Sequence, residues 1–192
     1  MFYRRKKLPT VLNAYEASKL LLVPNPRYPT GLRNLAIITV MLNLGLRVSE
    51  VSNLKPGSIN LIEGKLRVVN GKGGVDRDLI IPNGYTSEIL KKWKSIRPKG
   101  KYFFTTLKGG NISSRYIHLF VKRCTIKAKI EKNVSPHSLR HTFATEFYRQ
   151  TKDLETLRLI LGHSSVSTTQ IYVTLANMDV EAAMNGFNQF GG

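Results

Sequence analysis

One short stretch constrains this chain more than any other. Lys65-Leu66-Arg67-Val68-Val69 alternates polar and apolar residues, residues 76–81 do so in part, and Asn70-Gly71-Lys72-Gly73-Gly74 lies between them. Side chains on a strand point to opposite faces in turn, so alternation on both sides of a glycine-rich turn predicts a β-hairpin. Pro82 ends it, and a third strand is expected at residues 58–62. Helical periodicity dominates the rest, so this hairpin sets the size of the sheet.

The helices come with start and stop signals. Asn13 and Glu16 have the spacing of a capping box, with Asn in place of Ser or Thr, and the helix they open should run through residues 20–22 and end before Pro24. Residues 25–30 hold two prolines and read as a loop. An apolar helix is expected at residues 32–44, closed by Gly45, and a shorter one at 47–54, stopping before Pro56. After the hairpin come helices at 85–96, 113–130, 136–149, 154–161 and 167–175, with a short one at 179–187. Ser135-Pro136 joins a hydroxyl cap to a proline at the first helical position, and Asp153 and Ser167 are candidate caps for the next two helices. The expected fold class is mainly α with a small antiparallel β-sheet (α+β).

Charge narrows the partners. The 192 residues include 30 Lys or Arg against 12 Asp or Glu, a net charge of +18. Residues 91–140 carry fourteen basic residues and one acid, Glu131, and the chain opens with Arg4-Arg5-Lys6-Lys7. Such an excess points to polyanions, with nucleic acid first and an anionic membrane second. Hydrophobic residues make up 42%, enough for a packed core. The single cysteine, Cys124, excludes an intrachain disulfide and a cysteine-based zinc site, and it falls at an apolar helical position where a small core residue belongs. No apolar run has the length of a membrane span and no signal-peptide core is present, so a soluble intracellular protein is expected.

Four segments carry candidate chemistry: Gly45-Leu46-Arg47-Val48-Ser49-Glu50, the hairpin turn with Lys72, His137-Ser138-Leu139-Arg140-His141, and Leu161-Gly162-His163 followed nine residues on by Tyr172. His137 and Arg140 share a helix face in its first turns, where backbone N–H groups favour an anion. An imidazole, a guanidinium and a helix N-terminus on one face suit a phosphate. His141 falls four residues from His137, one turn deeper. Singly, each signal is ordinary: His-x-x-Arg pairs arise by chance, Leu-Gly-His is often only a helix end, and a lone tyrosine usually packs in a core. The ordered set is what carries information.

In order, spacing and context, Arg47, Lys72, His137, Arg140, His163 and Tyr172 resemble the signature of tyrosine recombinases of the Xer and phage-integrase type. The stretches at 161–172 and 135–145 are especially close, and the likeness spans about residues 8–175. It implies the catalytic-domain fold of that family and an enzyme that cleaves and rejoins double-stranded DNA through a 3′-phosphotyrosine, without metal, ATP or other cofactor. Tyr172 would be the nucleophile. Arg47, Arg140 and His163 would meet charge on the phosphate oxygens, Lys72 would protonate the leaving 5′-oxygen, and His137 would hold the Tyr172 hydroxyl or take its proton. Glu50, three residues after Arg47, either orients it or forms an ordinary surface ion pair. Arg4, Arg5, Lys6, Lys7, Arg115, Lys122 and Arg123 are candidate DNA contacts.

The resemblance divides the chain into a basic arm or linker stub at 1–12, a catalytic domain at 13–175, and a tail at 176–192 that docks on a neighbouring protomer or folds back. Family members carry a further helical domain ahead of this one, so the chain is either an excised catalytic domain or a naturally short protein. A homotetramer on DNA, a monomer in solution, no membrane partner and a cytoplasmic, nucleoid-associated location are expected. One departure is Arg149-Gln150-Thr151-Lys152, where the family often has a glycine-containing turn. Competing readings are a type IB topoisomerase-like relaxing enzyme and a non-enzymatic DNA-binding module; an RNA-binding protein lacks the aromatic motif it would need.

Overall fold

The computed structural model describes residues 8–69 and 76–185; Arg4, Arg5, Lys6, Lys7 and Lys72 lie outside the described residues. Eight helices are present among the described residues: α1 Ala14–Leu22, α2 Pro29–Leu44, α3 Val48–Asn53, α4 Tyr85–Ile96, α5 Ser114–Lys127, α6 Pro136–Thr151, α7 Leu154–Leu161 and α8 Gln170–Asn185. Strands β1 Ile59–Asn60, β2 Lys65–Val68 and β3 Arg77–Ile80 form one antiparallel sheet in the order β1-β2-β3. The fold class is thus mainly helical with a small antiparallel sheet, as the periodicity predicts. No helix among the described residues is long and apolar enough to cross a membrane.

The centre of the core is α2. Eleven of its sixteen residues are buried, from Leu32 to Leu44, and it packs between α4 and α6. A helix buried on nearly every side needs no amphipathic stripe, which is why this segment reads as uniformly apolar. A second cluster lies between α6, α7 and α8, formed by Ala144, Leu157, Leu161 and Tyr172, with Phe143, Phe147 and Leu175 against it. The sheet pairs Leu66 with Leu79 and Val68 with Arg77, so the inward face of β3 begins with an arginine.

The expected caps hold in three places. Asn13 and Glu16 form the capping box of α1, Ser135 caps α6 with Pro136 at its first position, and the Asp153 side chain accepts from Thr156 N. Ser167 is not the cap of the Tyr172 helix. The Ser165 side chain accepts from Ser167 N, a 3-10 turn runs over Val166–Thr168, and α8 starts only at Gln170. Nor is the tail a separate helix: α8 is continuous to Asn185, because no proline or glycine interrupts 170–185. The loop expected at 25–30 is shorter, since Pro29 takes the first position of α2, where its missing N–H costs nothing. Residues before α1 are tied down, with Leu12 buried and its N–H donating to Thr142 Oγ1 at 2.9 Å.

At the end of α6, Lys152 stands in the left-handed conformation with φ 57°. A side chain there costs about 1–2 kcal/mol relative to glycine. Lys152→Gly should therefore raise the unfolding free energy by about 1 kcal/mol, read from denaturant melts; a loss of stability would show that the lysine contributes more than its backbone strain.

Candidate active site

The site is assembled around one buried carboxylate. Glu50, in the first turn of α3, is 4% exposed at its side chain. It accepts from the Arg47 backbone N–H at 2.8 Å and from Arg47 Nη1 at 2.8 Å. Arg77, at the start of β3, adds both guanidinium nitrogens at 2.9 Å, one to each carboxylate oxygen. Arg140 Nη1 stands 3.9 Å away. Burial pushes the Glu50 carboxyl up, but the Arg77 hydrogen bond and charge, the Arg47 N–H and the Arg140 charge outweigh it, so its pKa lies below the ordinary value. One carboxylate among three guanidiniums leaves a local surplus of positive charge in a poorly solvated place. Such a surplus attracts an anion.

Two helix ends hold the same arginines from the other side. α2 and α7 both close on a left-handed glycine, Gly45 with φ 65° and Gly162 with φ 62°. The last carbonyls of a helix lack intrahelical donors and carry partial negative charge. Here guanidiniums supply the donors: Arg140 bonds Gly45 O at 2.6 Å and Leu161 O at 2.7 Å, Arg47 bonds Gly162 O at 3.3 Å, and Arg77 Nε bonds Ile160 O. A Cβ at Gly45 would lie 2.4 Å from Phe143 Cδ1, and one at Gly162 would lie 3.0 Å from Arg77 Nη1. Both glycines are therefore required by conformation and by close approach.

Arg140 is buried, and burial together with the Arg47 charge lowers its pKa to about 10, which leaves it charged at neutral pH. Its Nη2 lies 3.1 Å from His163 Nε2. A guanidinium only donates, so Nε2 accepts, and the ring proton resides on Nδ1, 3.1 Å from Thr169 Oγ1. Burial and the charges of Arg140, Arg47 and Arg77 push His163 down to about 4. In this arrangement Nε2 has no proton to offer an anion. It gains one only on protonation or on a change of tautomer.

Tyr172 is 2% exposed. Burial raises its pKa, with Arg140 and Arg47 pulling the other way. Its hydroxyl lies 3.0 Å from His141 Nδ1, with ring centroids 5.7 Å apart. Burial, His137 and Arg140 push His141 down to about 4. His137 has its ring 6.2 Å from that of His141 and makes no hydrogen bond to Tyr172 among the described residues.

Of the residues singled out in the sequence, Arg47, Glu50, Arg140, His163 and Tyr172 come together, His137 flanks them, and Lys72 lies outside the described residues. Glu50 is no surface ion pair. Arg115, Lys122 and Arg123 are exposed on α5, whose opposite face buries Ile117, Phe120, Val121 and Cys124. His118 on the same exposed face lies close enough to His137 to lower its pKa, after burial and Arg140. The basic face of α5 thus adjoins the pocket. Two members went unassigned in the sequence. His141 has a place in the pattern, four residues from His137, but no role. Arg77 belongs to no motif, although an arginine in phase with Leu79 on the apolar side of a strand is a readable signal of a buried charge with a partner.

Fold and site together define a helical domain with a polycationic cluster built beside a tyrosine hydroxyl. The phage integrase family model matches residues 10–178, and this chain belongs to that family. It is 35% identical over 191 residues to the tyrosine recombinase XerD of Staphylococcus aureus strain Mu50, covering 95% of this chain and 64% of that protein. The chain therefore spans just under two thirds of that relative's length. Among solved structures, the XerA recombinase superposes with a TM-score of 0.81 at 31% identity, over 97% of this chain and 68% of that one. The XerH site-specific recombinase, bound to its palindromic difH substrate after cleavage, gives 0.79 at 29% identity, over 93% and 53%.

Proposed function

We propose that this chain is the DNA-cleaving domain of a site-specific recombinase or integrase, acting on double-stranded DNA through Tyr172 as a homotetramer on its substrate. The observation that carries the reading is one cluster in which the Tyr172 hydroxyl, bonded to His141, lies within the field of Arg140 and Arg47, with His163 bonded to Arg140. The kinship with XerD, and the DNA-bound state of the XerH relative, support it.

The Tyr172 oxygen attacks the scissile phosphorus, a phosphotyrosine forms at the 3′ end, and the 5′-oxygen leaves. One phosphoester replaces another, so the step reverses when a 5′-hydroxyl from another strand attacks. Negative charge grows on the non-bridging oxygens, where fixed guanidiniums stabilise it without reorganising. Arg47 is suited to first contact, since its side chain is 31% exposed while Arg140 is buried behind it. Glu50 and the carbonyls at Gly45, Leu161 and Gly162 hold both in place. Lys72 supplies the proton to the 5′-oxygen. The α5 residues Arg115, Lys122 and Arg123 track the DNA backbone beside the pocket.

A pool of duplexes, each nicked so that a short 5′ fragment escapes after cleavage, tests this without knowledge of the target. The expected result is a protein–DNA adduct on a denaturing gel, formed in the presence of a chelator. Absence of adduct across the pool would favour a DNA-binding module. Affinity for any duplex should also fall steeply with salt, with a log–log slope of about −0.9 for each phosphate neutralised. A flat dependence would refute DNA as the partner.

A further inference from the structure

We infer that His141, rather than His137, is the residue that holds the Tyr172 hydroxyl and takes its proton as the tyrosine attacks. The inference rests on the function proposed above and deepens it. Three features of the fold carry it.

The first is contact. His141 Nδ1 is 3.0 Å from the Tyr172 hydroxyl, while the His137 ring lies 6.2 Å from that of His141 and has no hydrogen bond to Tyr172 among the described residues. The second is place. His141 follows Arg140 directly, and Arg140 is bonded to the carbonyls closing α2 and α7. The α6 backbone that fixes the phosphate-binding guanidinium therefore also fixes the imidazole that meets the nucleophile. Tyr172 is held in turn by the cluster of Ala144, Leu157 and Leu161. Acceptor, cation and nucleophile are thus positioned by the same packing.

The third is protonation. Burial, then His137 and Arg140, keep His141 neutral well below neutral pH, and in the tautomer with its proton on Nε2 the Nδ1 lone pair accepts from the phenol. A scissile phosphate arriving beside Arg140 offsets that cation and raises the basicity of His141 when it is needed. Bound DNA thereby switches on its own proton acceptor.

The step balances. The Tyr172 O–H bond breaks as Nδ1–H forms on His141. The tyrosine oxygen bonds phosphorus as the bond from phosphorus to the 5′-oxygen breaks, and that oxygen takes its proton from Lys72. On rejoining, the incoming 5′-hydroxyl gives its proton back to Lys72 as its oxygen bonds phosphorus, and His141 returns its proton to the tyrosine oxygen as the bond from that oxygen to phosphorus breaks.

The test measures single-turnover adduct formation by the full chain on nicked duplexes that wild type cleaves. Adduct from wild type shows the recombinase reading to hold whatever the variants do, so the two ideas fail separately. His141→Phe should slow adduct formation by about a hundredfold or more, the span of general-base contributions. His141→Asn sets an amide where Nδ1 stood, which can hold the hydroxyl but cannot take its proton. It should melt near wild type, bind DNA as wild type does, and still cleave slowly. This variant decides the matter should the phenylalanine variant fail to fold. Adduct formation by His141→Asn at the wild-type rate would overturn the inference, as would a hundredfold loss in His137→Phe alone.

Discussion

Tyr172→Phe should abolish covalent adduct on every nicked duplex while leaving DNA affinity within about twofold of wild type. The loss is total because the phenol oxygen is the atom that would bond phosphorus, and no neighbouring hydroxyl replaces it. Tyr148 lies on α6 among the half-buried residues behind the pocket, packed against the second core cluster. Affinity should survive because the phosphate contacts proposed for Arg47 and the α5 face do not involve the ring. The fold should survive too. The aromatic ring fills the space between α6, α7 and α8 in either variant. Only one hydrogen bond, that to His141 Nδ1, disappears, at a net cost of about 1 kcal/mol. Gel analysis of the adduct and a titration of the same DNA separate the two outcomes. An adduct that persists in the phenylalanine variant would move the nucleophile elsewhere, and a large loss of affinity would make Tyr172 a DNA contact.

Much of this arrangement is legible in the chain, and the parts that are not have a common cause. Helices α4 and α7 fall on the residues the pattern predicts, because glycine, proline and caps mark their ends locally. The sheet is legible as a hairpin because alternation is local as well. Ser167 misleads because two hydroxyls two residues apart both qualify as caps, and the buried Thr169, bonded to His163, sets where α8 can start. The same limit applies in the site. Glycine motifs point to Arg47 and His163, but which imidazole meets Tyr172 depends on how α6 is rotated against α8. His137 and His141 lie four residues apart on one face, so periodicity cannot choose between them. Arg77 reaches Glu50 across 27 residues. That pairing belongs to tertiary packing.

Glu50→Gln should be strongly destabilising. Among the described residues the carboxylate is the acidic partner shared by Arg47, Arg77 and Arg140, and the last two are nearly as buried as it is. Neutralising it removes the counter-charge that two buried guanidiniums share. Removing one partner of a buried pair costs about 3–5 kcal/mol, and at about 2–4 °C per kcal/mol for a domain of this size the melting temperature should fall by about 10 °C. Activity should fall further than stability explains, because Arg47 loses the bond that aims it. The acid limb of the stability curve gives a second reading. His141 and His163 have folded pKa values of about 4 against 6.5 ordinarily, so the unfolded chain binds protons first and stability declines as pH falls from 6.5 towards 4. The Glu50 pKa is depressed below 4.5, so its contribution is complete above 4.5 and is lost only as pH falls through its lower folded value. Wild type should thus lose stability in two overlapping stages. Glu50→Gln should keep the histidine stage and lack the one below pH 4.5. A variant with unchanged melting temperature and the full acid limb would show that water, and not this carboxylate, balances the arginine cluster.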